Sequence, residues 1–436
     1  MDTIYALASG AGRAGVAVYR LSGPAAGRAL CALTGGALPE PRRAVRVRLA
    51  AAGDPVDDGL ALWFPGPASF TGEDVVELHL HGGRAIARAL AAALGALGLR
   101  PAEPGEFSRR AVLAGKFDIT RAEAIADLVE AETAAQRRQA LRQLDGGLER
   151  RVEAWRGQVV HALAHLEAVI DFADEGIPDS LLGAVSAAVS ALADEVAAAL
   201  AEGRRGERVR DGLAVAILGA PNAGKSSLLN RLAGREAAIV SATAGTTRDV
   251  IEVHLDLGGW PVVLADTAGL REVAEEIEAE GVRRAQARAA SADLKLAVFD
   301  GTRSPDAATL GLIDSTTLVV VNKADLGTPA PGSLGGRPTW AVSAKSGQGI
   351  DALLAALEAE VARRAEGGGA APFTRERHRA AAAECLAALR RCDPFGQPEL
   401  AAEDLRLAGR ALGRVTGRID VEEVLDLVFR DFCIGK

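Results

Sequence analysis

The chain has 436 residues, 49% of them hydrophobic, and a formal net charge of −8. That length exceeds one ordinary domain, so two or three are expected. The acidic balance excludes a surface coated for nucleic-acid binding, although a local basic patch remains possible. No apolar run reaches the roughly 18 uncharged residues of a membrane span. The opening Met1-Asp2-Thr3-Ile4 has neither the basic start nor the apolar stretch of a secretory leader. The four cysteines, Cys31, Cys385, Cys392 and Cys433, form no Cys-x-x-Cys pair and no His-bearing metal pattern. A cytoplasmic, non-membrane location is the simplest expectation. Of the 50 basic residues only six are Lys: Lys116, Lys225, Lys295, Lys323, Lys345 and Lys436. Such a bias suggests that Lys is kept where a compact ammonium is needed.

Residues 1–116 alternate short β-branched runs, such as Gly15–Tyr19 and Val75–Leu78, with Gly- and Pro-rich turns. A helical stretch runs from Ala85 to Leu97, so the zone reads as α+β. From Ile119 to about Glu202 the pattern is Ala-rich and helical, with Arg and Glu on the polar face. The pairs Arg137-Arg138, Arg150-Arg151, Arg204-Arg205 and Arg283-Arg284 read as solvated helix faces in preference to RNA contacts. Gly203-Arg204-Arg205-Gly206 matches the G-x-x-G of an RNA-binding KH module, but there is no room for its sheet. It reads instead as a flexible connection into the next domain.

Residues 213 to about 365 alternate strands (Leu213–Leu218, Val262–Ala265, Leu294–Phe299, Leu318–Val321, Thr339–Val342) with helices, the pattern of a doubly wound α/β domain. Gly367-Gly368-Gly369 reads as a linker, and helical periodicity then returns as far as Phe432. Two helical zones around a complete α/β domain imply one helical domain with an insertion. The expected organisation is therefore multidomain. An α+β N-terminal domain covers 1–116, an all-α domain is built from 117–207 and 369–436, and an inserted α/β P-loop domain covers 208–368.

The chemistry concentrates in that insertion. Gly219-Ala220-Pro221-Asn222-Ala223-Gly224-Lys225-Ser226 is G-x-x-x-x-G-K-[ST], placed between a predicted strand and a predicted helix over Ser227–Leu232. Its backbone amides would cradle phosphates, Lys225 would reach the β- and γ-phosphates, and Ser226 would ligate Mg2+. Asp266-Thr267-Ala268-Gly269 follows a second apolar strand. The acid would steady the Mg2+ shell, and the Gly269 amide would sense the γ-phosphate. Asn322-Lys323-Ala324-Asp325 would read the base, because the Asp325 carboxylate can accept the N1–H and exocyclic amine of guanine. Ser343-Ala344-Lys345 would bring the Ala344 amide to the guanine O6. The expectation is GTP rather than ATP.

Two details set the mechanism apart from a Ras-like switch. Leu270 stands where a water-orienting Gln is usual, leaving Glu272, Glu275, Glu276 and Glu278 as candidate carboxylates. No arginine finger is evident, although Arg248 and Arg271 are near. Asn222 and the Ser241–Asp249 loop suggest a monovalent-cation cage beside the phosphates instead.

With these motifs in place the whole chain resembles the MnmE (TrmE) family of bacterial tRNA modification GTPases. The resemblance rests on Gly12-Arg13-Ala14-Gly15-Val16, Ser69-Phe70-Thr71-Gly72-Glu73-Asp74, Pro104–Ala111, Thr120-Arg121-Ala122-Glu123-Ala124, Gly245-Thr246-Thr247-Arg248-Asp249 and the terminal Phe432-Cys433-Ile434-Gly435-Lys436. It implies a folate-binding, dimerising N-terminal domain, a helical domain and an inserted G domain. It also implies a homodimer that forms a heterotetramer with an MnmG (GidA)-like FAD protein. Together they would add a (carboxymethyl)aminomethyl group to C5 of the tRNA wobble uridine, drawing on 5-formyl-tetrahydrofolate or a related folate. Carried over by motif, Asn222, Ser241, Thr243 and Thr246 are K+ ligands, and Ser226 and Thr247 are Mg2+ ligands. By the same resemblance Glu278 would position water. Ala223, Gly224, Lys225, Ser227, Ala242, Ala244, Gly245, Asp266, Thr267, Ala268, Gly269, Asn322, Lys323, Asp325, Ser343, Ala344 and Lys345 complete the GTP site. Arg20, Glu77, Lys116 and Lys436 fall on the family's folate-contacting positions, two of them lysines already singled out by composition.

The departures are small. Ser241 stands where the family often has Thr. Leu78-His79-Leu80-His81 is unusually rich in histidine, which reads as a satisfied structural role in preference to ligand contact. For Cys433 both thiol chemistry and packing stay open.

Overall fold

The computed structural model describes residues 2–171, 179–234, 238–239, 252–266, 292–327, 330–365 and 373–418, with 425, 428, 429, 432 and 435. The chain packs as two compact units. One comprises Met1–Ala126, Gln143–Leu192 and Glu384–Lys436, and the other Asp127–Arg142 and Ala193–Ala383.

The first unit begins with a six-stranded sheet. Its strands are β1 (Ile4–Leu7), β2 (Ala14–Ser22), β3 (Val45–Ala51), β4 (Asp54–Phe64), β5 (Val75–Gly82) and β6 (Arg100–Pro101), in the order β3-β4-β5-β2-β1-β6. Period-2 alternation divides its two faces. Tyr19, Leu21, Leu78 and Leu80 point into a core completed by Leu30 of helix α1 (Ala26–Thr34) and Leu90 and Leu94 of α2 (Arg84–Ala96). Antiparallel pairing sets Arg20 opposite Glu77 and Val18 opposite His79, so these four share the other face. A short α3 (Glu106–Leu113) follows the sheet.

Helices α4 (Ile119–Glu130), α5 (Ala134–Leu144), α6 (Gly147–Asp171) and α7 (Asp179–Asp211) come next. On α6 the buried residues Leu148, Val152, Trp155, Val159, Ala162 and Leu166 recur at spacings of four and three, the signature of one apolar stripe. Helix α7 contains a stretch, Leu181–Asp211, that is long and apolar enough for a membrane span by length and composition. Asp194 and Glu195 interrupt it, and Val185, Val189, Leu192, Val196 and Ala199 are buried along one seam.

The second unit carries an eight-stranded sheet. Its members are β7 (Leu213–Leu218), β8 (Ala238–Ile239), β9 (Glu252–Leu257), β10 (Trp260–Asp266), β11 (Leu294–Asp300), β12 (Thr317–Asn322), β13 (Ser333–Leu334) and β14 (Arg337–Ala341). The order is β13-β14-β12-β11-β7-β10-β9-β8. Strands β14, β12, β11, β7 and β10 run parallel, while β9 is antiparallel to β10. Helices α8 (Lys225–Ala233), α9 (Ala307–Leu310) and α10 (Ile350–Ala365) connect or cover them. Two further helices, α11 (Glu376–Arg391) and α12 (Pro398–Thr416), follow.

One expectation is corrected. Gly203–Gly206 is the continuation of α7, which runs unbroken to Asp211, and not a flexible connection. The reason is lateral support. Gln139 donates to the Gly206 carbonyl (2.9 Å), Gln136 donates to the Arg210 carbonyl (2.9 Å), and Arg379 pairs with Glu207 (2.8 Å). These contacts outweigh the cost of about 1 kcal/mol for each helical glycine. The Gly367-Gly368-Gly369 linker lies outside the described residues.

Trp155 is 1% exposed and lies beneath the Arg151 guanidinium, 5.2 Å from its ring. Trp155→Ala should lower the unfolding free energy by about 3–5 kcal/mol. Arg151→Ala should lower it by no more than about 1 kcal/mol. Urea titration followed by far-ultraviolet circular dichroism checks both.

Candidate functional site

The G-x-x-x-x-G-K-S segment joins the end of β7, a central strand of the parallel sheet, to the start of α8. Gly219, Asn222 and Gly224 have φ of 151°, 63° and 94°, which breaks the chain out of helix and curls its amides inward. Both glycines are also required by space. A Cβ at Gly219 would meet the Val298 carbonyl oxygen at 2.3 Å, and one at Gly224 would meet Asn322 Nδ2 at 2.1 Å. Lys225 is 6% exposed, and its ammonium donates to the carbonyls of Gly219 (2.8 Å) and Ala220 (2.9 Å). Ser226 and Ser227 are exposed on the first turn of α8.

Three further elements arrive at the same edge, where the parallel strands end. Asp266 closes β10 opposite Ile217 of β7. Asn322 closes β12, is 3% exposed and uses both ends of its amide. Nδ2 donates to the Ala223 carbonyl (2.9 Å), and Oδ1 accepts from the Ala344 amide (3.0 Å). That second bond commits the Ala344 N–H, so a contact from it to guanine O6 would have to share the proton with Asn322. Asp325 is exposed, and its Oδ1 accepts from the Ser343 hydroxyl (2.7 Å), which itself accepts from the Ser346 amide (3.0 Å). Asp325 Oδ2 has no hydrogen-bond partner among the described residues. Lys345 is exposed, and its carbonyl accepts from Arg231 (3.1 Å).

Sequence reasoning missed Asp300 and Arg231. Lys323 sits in a left-handed conformation (φ 68°), and its ammonium reaches Asp300 Oδ2 at 2.6 Å. Burial alone would raise the Asp300 carboxyl, but the bonds from Lys323 and Thr302 outweigh it and hold the group at about 2. The available signal was an acid at the end of β11, in register with Asn322 on β12. Ser241, Ala242, Thr243, Ala244, Gly245, Thr246, Thr247, Thr267, Ala268, Gly269 and Glu278 lie outside the described residues, as do Leu270, Arg248, Arg271, Cys433 and Lys436. Asp266 is described in its backbone alone.

The N-terminal candidates form a second cluster, on the sheet face away from α1 and α2. Arg20 sends Nε (3.1 Å) and Nη2 (2.9 Å) to the same oxygen, Glu77 Oε1. Its guanidinium lies 5.2 Å from the Phe70 ring and 5.8 Å from that of Phe107. Phe70 packs against Phe117 at 5.7 Å, and the neighbouring Lys116 donates from Nζ to the Pro67 carbonyl (2.8 Å). The loop bearing Phe70 is held through Glu73, which accepts from Ser22 (2.7 Å) and pairs with Arg110 (3.1 Å). Arg20, paired with Glu77, thus lies over Phe70, and Lys116 is bonded to the Pro67 carbonyl in the loop that carries that ring. A carboxylate steadied by a cation, an ammonium and a tilted pair of aromatic rings suit a ligand with an aromatic donor-bearing head and an anionic tail.

Asn322→Ala removes one donor and one acceptor and leaves the Ala223 carbonyl and the Ala344 amide unmatched in a buried place. The expected cost is about 1–3 kcal/mol of stability and at least a tenfold (~10-fold) loss of nucleotide affinity. Thermal melting and calorimetric titration with GDP check the two effects separately.

The family described as "GTP-binding protein TrmE N-terminus" matches residues 3–116, and that described as "MnmE helical domain" matches residues 119–433. The second match spans the P-loop segment, so the G domain is an insertion in the helical domain. The tRNA modification GTPase MnmE of Paramagnetospirillum magneticum is 69% identical over 439 residues, covering 100% of both chains. Those of Rhodospirillum rubrum and Parvibaculum lavamentivorans are 58% and 57% identical, again covering 100% of both chains. A P-loop GTPase domain carried within this helical scaffold, and likeness at this level along the entire length, lead to one conclusion: the chain belongs to the MnmE family of tRNA modification GTPases.

Proposed function

We propose that the chain hydrolyses GTP with the help of K+ and Mg2+. It does so as a cytoplasmic homodimer, joined to an MnmG-like FAD protein in a heterotetramer. The assembly adds a (carboxymethyl)aminomethyl group to C5 of the tRNA wobble uridine, with a folate as the source of one carbon. The observation that carries the nucleotide half is the Ser343–Asp325 bond. It occupies one carboxylate oxygen and orients the other, so that Asp325 presents fixed acceptors to the N1–H and amine of guanine. Adenine offers no such donor pair, so a bound adenine would cover the Asp325 acceptors without matching them.

In the phosphate region Ser226 and Thr247 would hold Mg2+. Asn222, at the exposed apex of the P-loop, would hold K+ with Ser241, Thr243 and Thr246. Leu270 cannot orient water, so that task falls to Glu278, and a fixed cation would offset charge developing between the β- and γ-phosphates. At the second cluster Glu77, steadied by Arg20, would accept from the pterin, while Lys116 and Lys436 would meet the anionic glutamate tail. Bound folate would supply the one-carbon unit, and these side chains bind and orient it.

Asp325→Asn keeps an oxygen for Ser343 but turns the other acceptor into a donor. GTP affinity should fall about 100-fold, and affinity for xanthosine nucleotides, whose O2 can accept, should rise. Unchanged GTP binding in calorimetric titration would remove Asp325 from the base-reading role. Hydrolysis should be at least about tenfold faster in KCl than in matched NaCl. Asn222→Ala should erase that difference, and Glu278→Ala should lower turnover without altering nucleotide binding. Equal rates in the two salts would exclude the cation mechanism.

A further inference from the structure

The two histidines of Leu78-His79-Leu80-His81 have different surroundings. His81 is accounted for by structure. Its Nδ1 lies 2.9 Å from Asp57 Oδ1, and its backbone amide donates to Asp57 Oδ2 at 2.8 Å. His79 has no such partner. Its Nε2 is buried and makes no hydrogen bond among the described residues, and the nearest charged atom is Glu77 Oε2 at 3.7 Å.

Strand register explains where this nitrogen points. Leu78 and Leu80 enter the core beneath the sheet, so His79 and Glu77, two residues apart, share the opposite face with Arg20 and Val18. Arg20 takes Glu77 Oε1 with two N–H groups, and the other oxygen, Oε2, is the one nearer His79. An acceptor and a ring nitrogen therefore stand side by side, one already oriented and the other unsatisfied. Buried polar atoms in native proteins are nearly always matched, so an unmatched one beside an oriented acceptor calls for a partner.

We infer that His79 is a ligand-positioning residue of the Arg20–Glu77 cluster: Nε2–H donates to a ring carbonyl oxygen while Glu77 Oε2 accepts from the adjacent ring N–H. This rests on the folate reading above, and it names the feature of the ligand that is read. A carboxylate beside an imidazole N–H is the complement of a cyclic amide edge, which in a folate is the 4-oxo edge of the pterin. A 4-amino pterin would set an N–H donor against the Nε2–H. The site so built selects 4-oxo over 4-amino ligands.

The test uses the full-length protein and equilibrium dialysis with 5-formyl-tetrahydrofolate and its 4-amino counterpart, 5-formyl-tetrahydroaminopterin. Wild type should prefer the 4-oxo ligand. His79→Leu should weaken that ligand about tenfold and leave the 4-amino ligand nearly unchanged, narrowing the selectivity by that factor to what Glu77 alone supplies. His79→Gln, which keeps an N–H donor, should retain most of the preference, and thermal melting shows whether each variant is folded. Undiminished 4-oxo binding by the Leu variant, or an equal loss for both ligands, would overturn the role of His79 while leaving the folate site standing. Equal binding of 5-formyl-tetrahydrofolate by wild type and Glu77→Ala would instead defeat the folate reading, and this inference with it.

Discussion

Asn322 ties two loops of the candidate nucleotide site together through one primary amide. Its nitrogen fixes the phosphate loop at Ala223, its oxygen fixes the base-side loop at Ala344, and the side chain is 3% exposed. A shorter or apolar side chain could not bridge the two loops, and a charged one would be buried without a counter-ion. Around this tie the remaining parts have little freedom. Lys323 is turned into a left-handed conformation by its place after the strand and is anchored on Asp300, which leaves Asp325 to meet Ser343. The geometry of the base side is thus inherited from a strand end and not assembled from flexible loops.

The α/β unit was readable from sequence because its strands are apolar runs whose ends coincide with chemical motifs. Leu213–Leu218 was expected and found to the residue, and the other four parallel strands differ only at their ends. What sequence could not supply were the cross-connections. Nothing local to Asn322 announces that it reaches Ala223, 99 residues away, or that Lys323 closes on Asp300. The segment at Gly203–Gly206 failed for a related reason. Two glycines lower helix propensity locally, but side chains far along the chain bond to its carbonyls and hold it helical. For the N-terminal cluster the Lys bias and the family likeness indicated Lys116. The aromatic surroundings of Arg20 and the unmatched nitrogen of His79 emerge only from the sheet.

That sheet shows how one pleat serves two purposes. Leu78 and Leu80 bury against α1 and α2, and the alternate residues Glu77 and His79 take the opposite face. The polar face is nonetheless not left to solvent. Arg20 lies over two aromatic rings, Phe70 and Phe107, and Ser22, Glu73 and Arg110 brace the loop that supplies the first. The groups proposed to bind folate would therefore be carried on a rigid strand and supported by a second set of contacts, which would limit the entropy lost when a ligand is held.

The near-contact between Gly224 and the Asn322 amide has a consequence for how variants of this protein are compared. A side chain at position 224 would press on Nδ2 before it disturbed anything else nearby. A lesion in the phosphate loop would thereby reach the base-side loop, and its effect would register as weakened base discrimination. Changes at these two positions share one partner atom, so their free energies should not add. A double-mutant cycle across them would return a coupling term where the linear sequence, which sets the two positions far apart, suggests independence.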